Sequence, residues 1–403
     1  MSETEHDTQV AVRGVGGRLR ALGGMLAEGK AGSLLVILMI AAIWIFFQIM
    51  NPNFLSPANL TDLLLQNVAV ATISIGVVLI LLLGEIDLSI GSVSGLCAAV
   101  MVVLIVNHNV SPVLAMLAAL AVGAAIGLFT GSMITRFRIP SFVITLAGLL
   151  LWEGLQLYVL GASGTINLPT DFITKLTSTF FTPVVGWIIA VVAIAVMCGL
   201  AFLGRARRRR AGLPAGSMRA QVIRIVLIGA AMVAAMIVFN KDRGLPLAVV
   251  IVVGLTVFFV YITEQTRFGR HIFAVGGNDE AARRAGIRID RVRIIVFVLG
   301  STLAAGGGIL AASRLLAVNQ SSGGSDLLLM AIAGPVIAGT SLFGGRGSVW
   351  SALLGALVIG SIANGMDLLS LSSAVRFMVT GGVLILAVTL EAATRLQRQT
   401  TED

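Results

Sequence analysis

The stretch TRFGRHIFAVGGNDEAARRAGIRIDRVR, residues 266–293, interrupts a sequence otherwise built of long apolar runs. Arg267, Arg270, Arg283, Arg284, Arg288, Arg291 and Arg293 cannot lie in hydrocarbon, where each charge costs about 3 kcal/mol or more. If the flanking runs cross a membrane, this stretch lies on its surface. It also carries helix punctuation. Asn278 or Asp279 can accept backbone N–H groups at an N-terminus, and Gly286 falls where a left-handed C-terminal cap belongs. The spacing predicts a helix of about two turns holding two small residues, Ala281 and Ala282. Two readings stand at this point: a basic connecting loop, or a capped helix displayed for a partner.

Composition settles that the flanking runs do cross. The 403 residues are 57% hydrophobic and 12% charged, with a mean hydropathy of +0.99. A soluble domain carries about 25% charged residues, so the chain reads as an all-α polytopic membrane protein. Apolar runs of the length that spans about 30 Å are predicted at 32–50, 64–83, 89–106, 112–134, 141–160, 183–203, 221–239, 246–263, 293–313, 327–341, 349–366 and 374–391. The run 327–341 is short and holds Pro335, so it is expected to be broken or re-entrant.

Charge placement orients the twelve runs. With the N-terminus inside, 23 of the 28 basic residues fall on inner segments and 5 on outer ones, and a shift of one span reverses the ratio. This implies an arm (1–31), a membrane domain (32–393) and a tail (394–403), with both termini cytoplasmic. The pI near 10.8 therefore reflects membrane topology and not a nucleic-acid partner. No cleavable leader is read in the polar arm. Its Gly24-x4-Gly29-Lys30-Ala31 lacks the Ser or Thr that would hold magnesium in a phosphate loop, so no ATP site is expected. The Arg205–Arg210 cluster has no cap signals and reads as a topology anchor on anionic lipid. Cys97 and Cys198 sit inside apolar runs as small core residues, and no metal-ligand spacing or nucleophile with its base is visible.

Two further interruptions stand out. Gly84-Glu-Ile-Asp-Leu-Ser-Ile-Gly91 places Glu85 and Asp87 beside hydrocarbon, two positions apart and so on different faces of any helix. Asp87 or Ser89 can cap the following span, or the motif (Glu85, Asp87, Ser89, Gly91) can belong to a translocation path. Gly339-Thr-Ser-Leu-Phe-Gly-Gly-Arg-Gly-Ser-Val-Trp350 is glycine-dense in the same way, making Thr340, Ser341, Gly344 and Gly345 path candidates. Gly91-Ser-Val93 and Gly347-Ser-Val349 each open an apolar run, a short echo of an internal repeat. Glu153, beside Trp152, is a carboxylate within the fifth run and either functional or facing water at its outer end. His108 reads as interfacial and His271 as solvated.

These motifs carry a resemblance. Glu85-Ile-Asp-Leu-Ser-Ile-Gly91, Pro140-Ser-Phe-Val-Ile-Thr-Leu-Ala-Gly148, Phe268-Gly-Arg-His-Ile-Phe-Ala-Val-Gly-Gly-Asn278, Glu280-Ala-Ala-Arg-Arg-Ala-Gly-Ile287 and Gly339-Thr-Ser-Leu-Phe-Gly-Gly345 resemble the permease subunits of bacterial ATP-binding-cassette importers for monosaccharides, the ribose/xylose family. The likeness runs from about residue 32 to 393. Ten spans form the core of such permeases, and xylose-type members resemble this chain in having an extra pair, here about 183–240. The resemblance implies that the loop 264–293 holds a coupling helix seated in a groove of a separate ATPase, with Gly277, Asn278, Glu280, Ala281, Ala282, Arg283 and Gly286 in that role.

It further implies an inner-membrane homodimer fed by a periplasmic sugar-binding protein, with ATP and magnesium held by the ATPase and no cofactor on this chain. One departure is visible: Leu328-Leu329-Met330 precede Ala331-Ile332-Ala333 where the family has an acidic Glu-x-Asp. The alternatives are an ion-driven sugar carrier working alone, for which Glu85, Asp87 and Glu153 are the available relay, and a membrane scaffold without transport.

Overall fold

The computed structural model describes residues 32–169, 171–212, 217–383, 385 and 389. The polar arm with its glycine-lysine run, and the tail, lie outside them. Each predicted apolar run holds a helix: α1 (Gly32–Met50), α2 (Pro57–Leu82), α3 (Ile90–Val106), α4 (Pro112–Phe137) and α5 (Ser141–Leu160). A short α6 (Phe172–Ser178) precedes α7 (Pro183–Arg210), α8 (Met218–Lys241) and α9 (Leu247–Gln265). Then come α10 (Arg267–Gly277), α11 (Asp279–Arg284), α12 (Ile289–Leu315), α13 (Ser325–Ile337) and α14 (Trp350–Leu368). The last run is represented by helical residues 373–383. Among the described residues, eight helices are long and apolar enough to cross a membrane, whereas α3 and α13 have only 17 and 13 residues. At about 1.5 Å per residue, α13 reaches roughly 20 Å and cannot span alone.

Boundaries shift where capping outweighs hydropathy. The second helix begins at Pro57, seven residues ahead of its apolar run, because Ser56 caps it by accepting from the Asn59 N–H at 3.3 Å. Arg205–Arg210 are the last turns of α7, where cations meet the negative end of the helix dipole. Two small antiparallel pairs were not foreseen. Thr165–Asn167 (β1) pairs with Ala317–Asn319 (β4), and Phe180–Phe181 (β2) with Leu245–Pro246 (β3). They tie together loops far apart in sequence at the end of the bundle opposite the arginine-rich stretch.

The second helix is continuously buried from Asn67 onward, the central post of the bundle. It packs on α12, α14 and α13, and α12 in turn lies along α4. That last contact has a small-residue seam. Gly123, Gly127 and Gly131 recur every four residues, and a Cβ at each would sit 2.7 Å from Ser301 O, 2.4 Å from Phe297 O and 2.9 Å from Ile294 Cα. Hydrocarbon gives apolar helices no reason to associate, so close backbone approach supplies dispersion contacts instead. The α7–α8 hairpin is the opposite case. It packs through Ala190, Met236 and Phe239 with Leu245 of β3 and leaves Val184, Ile188, Val191, Leu200, Val226 and Leu227 exposed.

Gly127→Leu should therefore force α4 off α12, an overpacking cost of about 1–3 kcal/mol or more, read as a lower melting temperature in detergent. Gly254→Leu, where a new Cβ meets nothing within 4 Å, should melt with the unmutated protein. Equal melting of both variants would refute the seam.

Candidate functional site: a surface helix pair rooted in two breaks of the bundle

The opening stretch forms two helices where one was expected. In α11, Asn278 Oδ1 accepts the Ala281 N–H at 2.9 Å and Gly286 takes φ +80°, so both predicted caps are in place. Glu280 pairs with Arg284 one turn on, a pair exposed enough to contribute little. Ahead of it, α10 is capped by Thr266, whose Oγ accepts from the Gly269 N–H at 3.2 Å. Its apolar face buries Ile272 and Val275. That strongly amphipathic face was legible in Phe268, Ile272, Phe273 and Val275, but the arginines around it masked it.

The directions of the two alanines differ. Ala282 is 4% exposed and packs into the chain's own core, while Ala281 is exposed. Ala282 thus anchors α11 to the bundle. The face left open to a partner is Gly277, Asn278, Glu280, Ala281, Arg283, Arg284 and Gly286.

Three glycine-bearing stretches meet under this pair. A Cβ on Gly276 would lie 1.8 Å from Leu82 O and 2.8 Å from Gly345 N. Gly344, at φ +83°, lies with its Cβ position 2.6 Å from Gly276 O and 2.7 Å from Gly84 N. The Gly345 N–H donates to Leu82 O at 3.0 Å. The end of α10, the turn after α2 and the loop after α13 are therefore joined backbone to backbone. Side chains could not reach this spacing. Thr340 and Ser341 support the loop: Thr340 Oγ1 bonds Ser351 Oγ, which donates to Ser348 O at 2.7 Å, and the Ser341 N–H donates to Arg346 O at 3.0 Å.

From this junction the chain runs inward without helix. Residues 85–89 are extended or bent alongside the first turns of α5. The Ile86 N–H donates to Ser141 Oγ at 3.3 Å, and Thr145 Oγ1 donates to Ile86 O at 3.3 Å. Glu85 and Asp87 take different partners, although they lie on a non-helical segment to which the expected separation on a helix does not apply. Glu85 reaches Arg293 Nε at 2.9 Å. Asp87, 4% exposed, accepts the Ser89 N–H at 2.8 Å and its Oγ–H at 2.7 Å. The turn reading thus holds in altered form: Asp87 orders the turn before α3, and Ser89, at the N-cap position, makes no side-chain cap bond.

A second break faces the first. Gly91 would place a Cβ 2.8 Å from Gly323 O, and Gln156, buried on α5, donates to Asn319 O at 3.0 Å and Ser322 O at 2.9 Å. The two non-helical segments, 85–89 and 319–324, thus have side chains serving their backbone, which is how such backbone is tolerated at depth. Pro335 fits the same rule. Lacking an N–H, it leaves Ala331 O without its helical donor, and Ser74 Oγ on α2 donates to it at 3.0 Å.

Two openings flank the 85–95 segment. A cavity of about 520 Å³ is lined by Gln66, Ser94, Glu153, Arg314, Gln320 and Asp326, among others. These are groups that suit a polyhydroxylated ligand, and the volume falls within the range of small-molecule sites. Except for Glu153 they were not singled out from sequence, because each belongs to a different element. Asp326 also supplies an acid two residues ahead of Leu328-Leu329-Met330. On the basic side a larger cleft of about 1150 Å³ is lined by Glu85 and by Arg136, Arg138, Arg283, Arg288, Arg291 and Arg293. Among the described residues no cluster of His, Cys, Asp and Glu could hold a metal ion.

Broken spans, a polar cavity on one side and a surface helix pair anchored at the other define an integral membrane permease. The chain belongs to the family described as branched-chain amino acid transport system, permease component, whose model matches residues 59–388. It is similar to the xylose transport system permease protein XylH of Escherichia coli (strain K12), 33% identical over 371 residues that cover 91% of this chain and 94% of that one. XylH of Haemophilus influenzae is 30% identical over 90% of this chain and 96% of its own. The ribose import permease protein RbsC of Escherichia coli (strain K12) is 32% identical over 94% and 97%. No solved structure matches the chain.

The junction makes a paired prediction. Gly276→Ala should loosen α10, lowering the melting temperature and speeding tryptic cleavage within residues 266–293 in inside-out vesicles. Gly277→Ala, whose Cβ meets nothing within 4 Å, should be cut at the unmutated rate. Identical cleavage of the two would mean that the glycine contact does not hold the helix down.

Proposed function

We propose that this chain is the membrane-spanning subunit of an ATP-driven importer for a pentose. In this reading the basic side is cytoplasmic, and a separate ATPase docks on the open face of α10–α11. Two copies pair in the inner membrane, and a periplasmic binding protein delivers the sugar. The observation that carries it is the junction of Gly84, Gly276 and Gly344, which joins a surface helix pair to both breaks in the bundle. Motion of a docked ATPase reaches the interior most directly through such a joint, and alternating access is the transition it would drive.

The sugar class rests on the relatives, whose names specify xylose and ribose, and on a cavity lined by amide, hydroxyl and charged groups. D-xylose is favoured by the α7–α8 hairpin, which corresponds to the extra pair of xylose-type permeases. Reconstitution in proteoliposomes with the ATPase and binding protein tests both points. ATP-dependent uptake of labelled xylose should exceed that of ribose. Uptake driven by a proton gradient without the ATPase would instead place Glu153 in an ion-coupled carrier.

Docking has its own test. Ala281→Glu, on the exposed face, should abolish co-purification of the ATPase while the permease melts normally. Ala282→Glu should lower the melting temperature itself, because a carboxylate would be forced into the core without a partner. ATPase retained by Ala281→Glu at full uptake would remove α11 from the docking surface.

A further inference from the structure

One side chain joins the surface helix to the inner break by charge. Arg293, in the first turns of α12, is 22% exposed and contacts two carboxylates with two different nitrogens. Nε faces Glu85 Oε1 at 2.9 Å, and Nη2 bonds Asp279 Oδ2. Asp279 is the first residue of α11, and Glu85 begins the extended segment that leads to Asp87, Ser89 and α3. The two ends of the bridge differ: Glu85 is 14% exposed and Asp279 41%. The inner pair is therefore the less hydrated and the outer one the easier to exchange with water.

The bridge stands where the two openings are separated. Glu85 lines the basic cleft, while Ser94 and Gly95 line the polar cavity, and the intervening residues 86–93 include the buried Asp87, Ser89, Ile90 and Val93. Around it Arg136, Arg138, Arg288 and Arg291 also face the cleft, with Asp290 the other acid that lines it, so Glu85 lies in a net positive field. Among the described residues, its one ion-pair partner is Arg293. A guanidinium suits this place because its charge is spread over three nitrogens and meets two carboxylates at once, Nη2 by a hydrogen bond to Asp279 and Nε by an ion pair with Glu85 that lacks hydrogen-bond geometry, whereas an ammonium is a point charge.

Resting on the reading of α11 as the docked helix, we propose that Arg293 is a positioning residue for transport. It passes displacement of α11 through Asp279 to Glu85 and so to the segment that closes the cavity from the cleft. When α11 moves, the hydrated Asp279 contact yields first or pulls Arg293 with it; either event changes the hold on Glu85. The residue touches no sugar. Its role is to make opening of the segment conditional on the position of the helix.

The experiment compares Arg293→Gln, Arg293→Lys, Glu85→Gln and the double variant Arg293→Gln/Glu85→Gln in proteoliposomes with the ATPase and binding protein. Three quantities are read: ATPase co-purification, hydrolysis rate, and sugar taken up per ATP hydrolysed. Arg293→Gln and Glu85→Gln should keep the ATPase and hydrolyse ATP, with uptake per ATP lowered about tenfold, within the range usual for coupling between sites. The double variant should be no worse than either single one, because both remove the same link. Arg293→Lys should fall between, holding one carboxylate at a time.

Unchanged uptake per ATP in Arg293→Gln overturns the proposal. So do losses that add in the double variant, or a loss confined to ATPase binding, which would make Arg293 a support for the docking surface only. If Arg293→Gln does not fold, Arg293→Lys and Glu85→Gln decide the matter alone. Failure of the unmutated complex to move sugar with ATP would instead refute the importer reading.

Discussion

Backbone that leaves the helix inside a membrane finds no water, so each freed N–H and C=O must be met by protein. The whole interior of this chain follows from that constraint. Among the described residues, three breaks are met by polar side chains on a neighbouring helix: Ser141 and Thr145 beside Ile86, Gln156 beside residues 319–322, and Ser74 opposite the carbonyl that Pro335 leaves free. These donors and acceptors all sit on α2 or α5. That fits the continuous burial of α2 from Asn67 onward and the glutamine that lies deep within α5. The breaks are therefore built features, and only at them can the bundle rearrange without unwinding a complete helix.

Charge is arranged by the same economy. Basic residues crowd the side that carries α10 and α11, and two of the five exceptions on the other side are paired with carboxylates. Arg243 is flanked by Asp62 and Asp242 and lies 4.7 Å over the Phe180 ring, and Arg376 pairs with Asp367 at 3.1 Å. Those carboxylates explain how arginine is tolerated there without disturbing the count that orients the spans. On the basic side the acids are few, so Glu85 and Asp279 meet an excess of guanidinium, and geometry selects Arg293 for both.

Whatever depends on one element's own residues was legible in the sequence. Asn278 and Gly286 announce α11, Pro335 announces a broken span, and the apolar runs locate the helices because hydropathy and length act locally. What depends on two elements was not. The α4 seam of Gly123, Gly127 and Gly131 has meaning only against Phe297 and Ser301. The cavity draws Gln66, Glu153, Arg314 and Asp326 from four separate stretches. Ala281 and Ala282 show the limit most sharply, since adjacent residues of one type on a single helix differ in burial, and only their packing against the rest of the bundle decides which is buried. The paired strands at the far end escaped because two- and three-residue ladders carry no periodicity to read.

The surface helix pair is linked to the interior by two routes that differ in kind. The Gly276–Gly344–Gly84 contact is steric and backbone to backbone, with no side-chain freedom to absorb displacement, so it transmits whatever motion the end of α10 makes. The Arg293 bridge is electrostatic and partly hydrated, so it can lengthen, break and reform. The steric route touches the ends of α2 and α13 together, whereas the charged route acts on Glu85, the next residue along from the shared turn. A displacement of the pair therefore arrives at one point as both a rigid push and a changed restraint. A joint with only the push would move the break whenever the helix moved, and one with only the charge pair would leave the two unlinked whenever water intervened. In the proposed transport cycle, their coincidence at residues 84–85 would make movement and release of the 85–89 segment parts of a single event.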